Sequence, residues 1–344
     1  MLCGPIRPPL DSVALASGAH LTPFAMTTSS TAPLDHFASQ LQGITALPHL
    51  GVIQAQGEDA ANFLHNQLSN DVLLLPVGQS RLAAFCSAKG RVQASFVVIK
   101  TAPDTVLLVM SIDLLAQTLK RLSMFVLRAK VKMSDATSQW QLRGLLGDSA
   151  RAVLAEATPW QTTSNDGAHA VALYPAVLGD TQVPRALWLG APSQTLPAGA
   201  ALSTEVWAWA EVMSGVTLVS QPVFEAFVPQ MLNYESVGGV NFKKGCYPGQ
   251  EVVARSQFRG TLKRRTALAH SPAALAAGQD VFTPTDPEQP CATVVLSAAR
   301  PDGRGFDALV SGTLESQQTG WRVGSVQCEA LELLPLPYEL LADI

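Results

Sequence analysis

Residues 240–265 have the sequence VNFKKGCYPGQEVVARSQFRGTLKRR, with a single cysteine, Cys246, near the start of this stretch. Lys243 and Lys244 precede the cysteine and Arg255 follows it, and cationic neighbours favour the thiolate form. The glycines on either side and the Pro-Gly pair predict a tight, stiff turn. From these residues alone, Cys246 is either a reactive thiol or a small apolar side chain that fills a gap in the core.

The composition limits the class of protein. The chain has 344 residues, of which 47% are hydrophobic and 15% charged, which is enough apolar material for two or three folded domains. The formal net charge of -4 argues against stable nucleic-acid binding. The five cysteines are scattered and contain no C-x-x-C pair. We therefore expect no disulfide framework, no metal site and a reducing, cytoplasmic compartment.

The first 34 residues are rich in Pro, Ser, Thr and Ala, and they predict a disordered tail without the features of a signal or transit peptide. Met26 is an alternative start of the chain under this interpretation. No run of about 20 apolar residues occurs, so no membrane span is expected. We expect the protein to be a monomer.

Hydrophobic periodicity predicts a first α+β unit over residues 35–140. LGVIQAQGEDAANFLHNQL indicates a strand, a turn at Gly57 and a helix with an apolar stripe. VQASFVVIK and TVLLVM predict two strands, and the apolar residues from Ile112 to Phe125 recur at helical spacing. LRAKVKM, residues 127–133, alternates between apolar and basic residues and predicts a further strand.

A second α+β unit is predicted over residues 141–265. GDSARAVLAEA echoes GEDAANFL of the first unit, and it again follows a short apolar run. Residues 185–190 predict a strand, and residues 204–215 predict a helix that ends at a glycine. From residue 266 to residue 344, short β segments separated by Pro- and Gly-rich turns predict a β-barrel.

The histidines do not favour a Cys-His hydrolase. His65, His169 and His270 are scattered, and none of them lies near the cysteine in sequence. A redox or metal-sharing role, or contact with a partner, suits the thiol better. Trp207 and Trp209 face different directions on the predicted helix, so one faces the core. The other is either a surface ring or a platform for a flat ligand.

KKGCYPGQEVVAR resembles the signature of the YgfZ-type folate-binding proteins, which are relatives of the glycine-cleavage T-protein, an aminomethyltransferase. FVPQMLNYESVGGVNF before this motif, FRGTLKRR after it, and FLHNQLSNDV and FCSAKGRV earlier in the chain resemble the same family. So does the terminal LPLPY. The resemblance covers roughly residues 45–340.

The resemblance implies an α+β fold of three domains in a ring around a central channel, with the β-barrel last. It implies that tetrahydrofolate or another folate derivative binds in the channel, and that the protein supports iron–sulfur enzymes, including those that thiomethylate tRNA. Cys246 then corresponds to the family's functional thiol. The other implied site residues are Lys244, Tyr247, Gln250 and Glu251 beside the thiol, and Trp207, Arg255, Asn70 and Asp71 for the folate.

The chain also departs from the family patterns. A second folate-contacting tryptophan would fall near Leu50, which is not aromatic. T-proteins carry an aspartate in the strand after the Gly-rich turn, whereas this stretch, GRVQASFVVI, contains no carboxylate. Because aminomethyl transfer needs a negative group or a base near the reacting carbon, we favour an accessory factor over a one-carbon transferase. A transferase in which Glu251 or another acid replaces the aspartate is the alternative.

Overall fold

The computed structural model describes residues 37, 40–258 and 262–341, which form three antiparallel sheets with helices packed against them. The predicted tail over residues 1–34, with Met26, lies outside the described residues. The strands are, in chain order, β1 (Gly43–Ala46), β2 (Leu50–Gln56), β3 (Ser80–Cys86), β4 (Val92–Ala102), β5 (Thr105–Ser111), β6 (Lys132–Asp135), β7 (Gln141–Leu146), β8 (Thr162–Asn165), β9 (Ala168–Leu178), β10 (Thr181–Gly190), β11 (Arg264–Ser271), β12 (Asp280–Phe282), β13 (Ala292–Ala299), β14 (Phe306–Thr313), β15 (Arg322–Val323) and β16 (Glu332–Leu334). The helices are α1 (Ala60–His65), α2 (Ile112–Ser123), α3 (Asp148–Leu154), α4 (Thr204–Met213), α5 (Gln250–Phe258) and α6 (Leu314–Gln317).

The first sheet has the strand order β3-β4-β5-β2-β6. Strands β4 and β5 are buried over most of their length, which explains why their sequences are continuous apolar runs and do not alternate. Helix α2 buries Leu114, Leu115 and Leu122 and presents Lys120 and Arg121 near its end. The strands predicted from VQASFVVIK and TVLLVM and the helix predicted from Ile112 onward are confirmed.

The second sheet, in the order β1-β7-β10-β9-β8, repeats the topology of the first. In each unit a strand leads through a glycine of positive φ, Gly57 or Gly147, into a short helix. Three further strands and a longer helix, α2 or α4, follow. One edge strand of each sheet is exchanged between the two units. Strand β1 precedes β2 in the chain but pairs with β7 of the second unit, and β6 precedes β7 but pairs with β2 of the first. The prediction of two related α+β units is confirmed.

The third sheet, β15-β12-β13-β14-β11-β16, is a curled half-barrel around its own apolar core. It is joined to the second unit by a polar contact in the interior. The indole Nε1 of Trp209 on α4 donates to Oδ2 of Asp307 on β14 at 2.7 Å, and Oδ1 of Asp307 lies 2.8 Å from Nδ1 of His270. Trp209 and Asp307 are both fully buried, so Trp209 is a core residue of the joint between the two bodies.

The terminal LPLPY segment packs against the body, as its prolines predict. The hydroxyl of Tyr338 donates to the carbonyl of Gly215 at 2.8 Å, directly after α4. Gly215 has a φ of 70°, and a side chain at this position would lie 2.8 Å from the Tyr338 ring. The glycine that ends the helix therefore also admits the C-terminal segment. None of the described helices has the length and apolar character needed to cross a membrane.

The strand predicted over residues 127–133 is wrong, because regular pairing begins only at Lys132. Leu127, which the alternation assigns to the core, is 87% exposed. The backbone of Lys130 instead contacts the start of α1, where its N–H donates to Oδ2 of Asp59 at 2.7 Å. The alternating apolar and basic residues therefore form an irregular segment that connects α2 to β6, and not a half-buried strand.

Candidate functional site

Cys246 is exposed at the surface, on a loop that is anchored through its neighbour Lys244. The Lys244 side chain is buried, and its Nζ donates to the backbone carbonyls of His65 and, at 2.8 Å, Leu68. Both acceptors lie at or just after the C-terminal end of α1, where helix carbonyls have no partner within the helix. Lys244, predicted as part of the reactive site, is therefore seen to tie the cysteine loop to the first unit.

The burial of Lys244 changes the pKa of its ammonium group. Burial lowers the pKa of the Lys244 ammonium to about 8, although negative charge on Asp71 and on Cys246 opposes this shift. The Nζ lies 4.8 Å from the centroid of the Tyr247 ring, in a cation–π arrangement. Burial also raises the pKa of the Tyr247 hydroxyl. Tyr247 therefore remains neutral and covers a cation beside the thiol.

Two glycine turns pack backbone to backbone on the other side of the loop. A side chain on Gly249 would lie 2.4 Å from the carbonyl oxygen of Ser87 and 2.7 Å from Cα of Gly90. A side chain on Gly90 would in turn lie 2.9 Å from Cβ of Val252. Both glycines have φ values in the left-handed region. The Lys-Gly-Arg turn before β4 thus converges on the cysteine loop.

The residues that follow the cysteine face outward. The side chains of Glu251 and Arg255 are 85% and 65% exposed and form an ion pair of 2.9 Å across one turn of α5. Exposed pairs of this kind contribute little to stability. The backbone N–H of Gln250 donates to the carbonyl of Tyr247 at 3.1 Å and starts the helix. The structure places Gln250 next to the cysteine loop, with Glu251 and Arg255 on the outer surface of the helix.

A histidine–carboxylate pair that has no signal in the sequence lies beneath the cysteine loop. Nδ1 of His65 lies 3.2 Å from Oδ1 of Asp71, which also accepts the backbone N–H of Leu74 at 2.8 Å. Burial opposes ionisation of Asp71, but the Leu74 amide and His65 together lower the pKa of its carboxyl group. A methyl group on Gly245 would lie 3.6 Å from Nε2 of His65. Only the fold reveals this proximity, because His65 and Gly245 are far apart in sequence.

Asn70 connects the first unit to the segment that leads to Cys246. Its Nδ2 donates to the carbonyls of Leu82 at 2.8 Å and Gly238 at 2.7 Å, and its Oδ1 accepts the N–H of Asp71. The polar atoms of the Asn70 side chain are thus engaged with backbone groups. A shallow cleft beside Asn70 extends to Trp160.

Trp207 lies in a different place from Cys246. Its ring is buried against Gly144 of β7, where a side chain would approach the ring to 2.5 Å. The guanidinium carbon of Arg185 lies 4.6 Å from the centroid of the same ring. The cavity beside Trp207 has a volume of about 40 Å³ and also borders Leu50 and Trp160, but Cys246 does not line it. The two predicted key residues therefore do not open onto one described cavity.

Arg185 and Glu211 of this cavity form a cluster with His49, in which Arg185 is buried and the other two side chains are partly exposed. Glu211 lies 3.7 Å from Nη2 of Arg185 and 3.5 Å from Nε2 of His49. Burial lowers the pKa of Arg185 to about 10, against the opposing effect of Glu211. Burial alone would lower the pKa of His49, but the bond to Glu211 and its charge raise it. Nε of Arg185 is buried without a hydrogen-bond partner in the described residues, so the cluster retains a free donor.

A carboxylate from a distant segment reaches the strand that lacks one in sequence. Oε1 of Glu225 accepts a hydrogen bond of 2.7 Å from the amide of Gln93 on β4. The backbone N–H of Glu225 donates to the carbonyl of Val92 at 3.0 Å, so the segment runs beside the strand. Glu225 has a φ of 55°, which is uncommon for a residue with a side chain. Its Oε1, and not that of Glu251, stands next to the strand in which T-proteins carry their aspartate.

Two of the other three described thiols are less exposed than Cys246. Cys86 is buried, and burial raises the pKa of its thiol to about 12. Cys291 is half-buried and donates weakly to a backbone carbonyl, whereas Cys328 is exposed. Within the part of the chain that the structure describes, no group of three or more His, Cys, Asp or Glu side chains is arranged to hold a metal ion. Cys328 is thus the natural reference thiol for Cys246.

Comparison with known proteins defines the class of this fold. Residues 37–183 match the family model of the GCVT N-terminal domain. The crystal structure of the glycine cleavage system aminomethyltransferase T from Bartonella henselae has the same fold, with a TM-score of 0.63 over 86% of each chain at 16% identity. The two related α+β units and the curled third sheet therefore have the T-protein fold.

Within proteins of this fold, the chain is similar over most of its length to the YgfZ-type proteins. It is 28% identical over 338 residues to the tRNA-modifying protein YgfZ of Photorhabdus laumondii, covering 94% of this chain and 98% of that protein. It is 27% identical to the tRNA-modifying protein YgfZ of Cronobacter sakazakii, with coverage of 83% and 89%. The family predicted from the cysteine motif is confirmed.

Proposed function

We propose that this chain is a folate-binding accessory factor that supports the assembly or repair of iron–sulfur enzymes, including tRNA-thiomethylating ones, with Cys246 as its working thiol. The observation that carries the proposal is the presentation of Cys246: an exposed thiol on a loop whose neighbour Lys244 is buried and bonded to two backbone carbonyls at and just after the end of α1. Thiols of this kind, exposed beside a cation, are those that react.

The exposure of Cys246 also favours a large partner over a small buried substrate. The cysteine does not line the cavity at Trp207, and enzymes that act on small molecules enclose most of the substrate surface. A thiol at the protein surface is accessible to a partner protein or to a cluster that the partner carries. Because one thiolate does not complete the ligand set of an iron–sulfur cluster, any cluster bound here would be shared with that partner.

The function is tested by genetic rescue. In cells that lack the native protein, Cys246→Ser should fail to restore the activity of a tRNA-thiomethylating enzyme, because the hydroxyl group does not replace the thiolate. Cys328→Ser should restore it fully, since Cys328 is also exposed but lies beside the third sheet. Both variants are quantified by immunoblot. Full rescue by Cys246→Ser at normal protein level would overturn the proposal.

Folate binding is proposed for the cavity beside Trp207. Its residues suit a flat heterocycle with an amino–carbonyl edge, because the rings of Trp160, Tyr174 and Trp207 supply aromatic surface and Nε of Arg185 is a buried donor without a partner. Its volume of about 40 Å³ is far below the roughly 300 Å³ or more of typical ligand sites. Because Arg185 covers the Trp207 ring, binding requires that this cation move aside. Asn70, Asp71 and Arg255 remain predicted contacts for the rest of the molecule.

Folate binding should weaken when Trp207 is replaced. Titration calorimetry with tetrahydrofolate is expected to give an affinity roughly tenfold lower for Trp207→Leu, since stacking contacts contribute about 0.5–1.5 kcal/mol beyond burial. Trp321→Leu is the matched control, because Trp321 is also buried but lies in the core of the third sheet. Equal affinity in the two variants, or no binding by the unaltered protein, would exclude this cavity as the folate site.

A one-carbon transferase is the second candidate, and Glu225 is the observation that favours it. Its carboxylate lies beside β4, where a developing positive charge on a methylene carrier would be stabilised. Turnover of a methylamine-type donor by purified protein with tetrahydrofolate, lost in Glu225→Gln and kept in Glu251→Gln, would establish this activity. No turnover of any donor in a panel of such compounds would exclude the transferase activity.

A further inference from the structure

The cysteine loop lies on a histidine whose orientation is fixed. Asp71 has a lowered pKa, and an ionised carboxylate can accept but not donate a hydrogen bond. Its contact of 3.2 Å with Nδ1 of His65 therefore requires a proton on Nδ1. Neutral His65 therefore carries its lone pair on Nε2. Nε2 is the atom that faces the loop, at 3.6 Å from the position of a methyl group on Gly245.

Gly245 directly precedes Cys246, and consecutive Cα atoms are about 3.8 Å apart. Nε2 thus faces the backbone segment on which the thiol is carried. We propose that His65, positioned by Asp71, accepts the proton of the Cys246 thiol. This inference rests on the proposed function, since it names the base of the same thiol.

The proton step balances without a co-reactant. The S–H bond of Cys246 breaks, an N–H bond forms at Nε2 of His65, and the thiolate keeps the electron pair. Asp71 stays ionised and stabilises the imidazolium through Nδ1–H, as the carboxylate does in other nucleophile–histidine arrangements. Asp71 is thus a positioning residue that does not take up the proton.

The other charged groups around the pair support the same direction. Lys244 donates to the carbonyl of His65 from below the loop, and its ammonium favours an anion nearby. Arg81 acts on Asp71 and favours its ionised form. Lys243 is exposed on the loop itself, and Tyr247 is a neutral neighbour of Lys244. Among these neighbours, Asp71 carries the only negative charge apart from the thiolate, and it acts through the far side of the imidazole ring.

The test is the pH profile of alkylation in the intact chain. Iodoacetamide incorporation at Cys246 and at Cys328 is measured by peptide mass spectrometry from pH 5 to pH 10, with Cys328 as the internal reference thiol. In the unaltered protein Cys246 is expected to be alkylated at lower pH than Cys328. His65→Gln should shift the Cys246 curve up to that of Cys328, and Asp71→Asn should shift it in the same direction. His169→Gln, which alters a distant buried histidine bonded to Ser164, should leave the curve unchanged.

A Cys246 curve that is unmoved in folded His65→Gln protein would overturn the proposal, and Asp71→Asn decides the matter if His65→Gln does not fold. This outcome is distinct from failure of the proposed function. Rescue of enzyme activity by Cys246→Ser would remove the cellular role of the thiol and leave the proton transfer standing. If the alkylation curve of Cys246 is unmoved in His65→Gln and Cys246→Ser fails to rescue enzyme activity, Cys246 remains the working thiol and His65 is excluded as its base.

Discussion

Asp307→Ala is expected to lower the free energy of unfolding by about 3–5 kcal/mol, the effect found when one partner of a buried charged cluster is removed. Asp307 is fully buried and accepts from the indole of Trp209 at 2.7 Å, and it lies 2.8 Å from His270 and 3.7 Å from Arg300. Alanine leaves these donors in the interior without their acceptor. Because Trp209 belongs to α4, the change weakens the contact between the third sheet and the helix that carries Trp207.

Urea unfolding followed by circular dichroism measures this loss. Asp286→Ala is the matched control, since it removes an exposed carboxylate from the same part of the chain and should change stability by less than about 0.5 kcal/mol. If the two variants unfold at the same urea concentration, the Asp307 cluster does not hold the two bodies together.

Lys244→Met is expected to have the second largest effect, because it acts on both stability and function. At pH 7 we expect a loss of about 1–3 kcal/mol, since two helix carbonyls lose a buried donor. Because its cysteine loop is no longer anchored, the Lys244→Met protein should also fail to support iron–sulfur enzymes, as is expected for Cys246→Ser. Lys243→Met removes an exposed lysine one residue earlier and should change neither property. Rescue by Lys244→Met equal to that of Lys243→Met would show that the anchor is dispensable.

The stability effect of Lys244→Met should also depend on pH. Burial lowers the pKa of Lys244 to about 8 in the folded protein from its ordinary value of 10.5, so the unfolded chain binds more protons between these values. Stability of the unaltered protein therefore gains a contribution from Lys244 as pH rises from 8 to 10.5. This contribution is missing in Lys244→Met, and the difference between the two proteins should widen over that range. A difference that stays constant from about pH 7 to pH 10.5 would contradict the buried environment of Lys244.

The sequence predicts the regular elements well where continuous apolar runs or periodic apolar stripes mark them locally. The buried runs of β4 and β5, the apolar stripe of α2 and the glycine at the end of α4 are all local signals. Residues 127–133 fail the same logic because their alternation has no pairing partner, and contact with Asp59 decides their path. The exchange of β1 and β6 has no local signal at all, because it depends on which sheet edge is open.

The candidate site is predicted in its parts but not in its assembly. The motif around Cys246 indicates a functional thiol, but the role of Lys244 as an anchor depends on where α1 ends in space. His65 is dismissed in sequence because 181 residues separate it from Cys246. Glu225 is overlooked for a similar reason, since its carboxylate reaches β4 from a loop more than 130 residues away. Such contacts follow from topology, which single-sequence periodicity does not specify.

The thiol of Cys246 is expected to be required for the support of tRNA-thiomethylating enzymes. Selective blocking of that thiol tests this requirement most directly. In protein with Cys3, Cys291 and Cys328 replaced by serine, the remaining thiols are Cys246 and the buried Cys86. This protein is alkylated, shown by mass spectrometry to carry one adduct at Cys246, and added to an extract that lacks the native protein. The unmodified variant should restore tRNA thiomethylation and the alkylated protein should not. Equal restoration by the two would contradict the account.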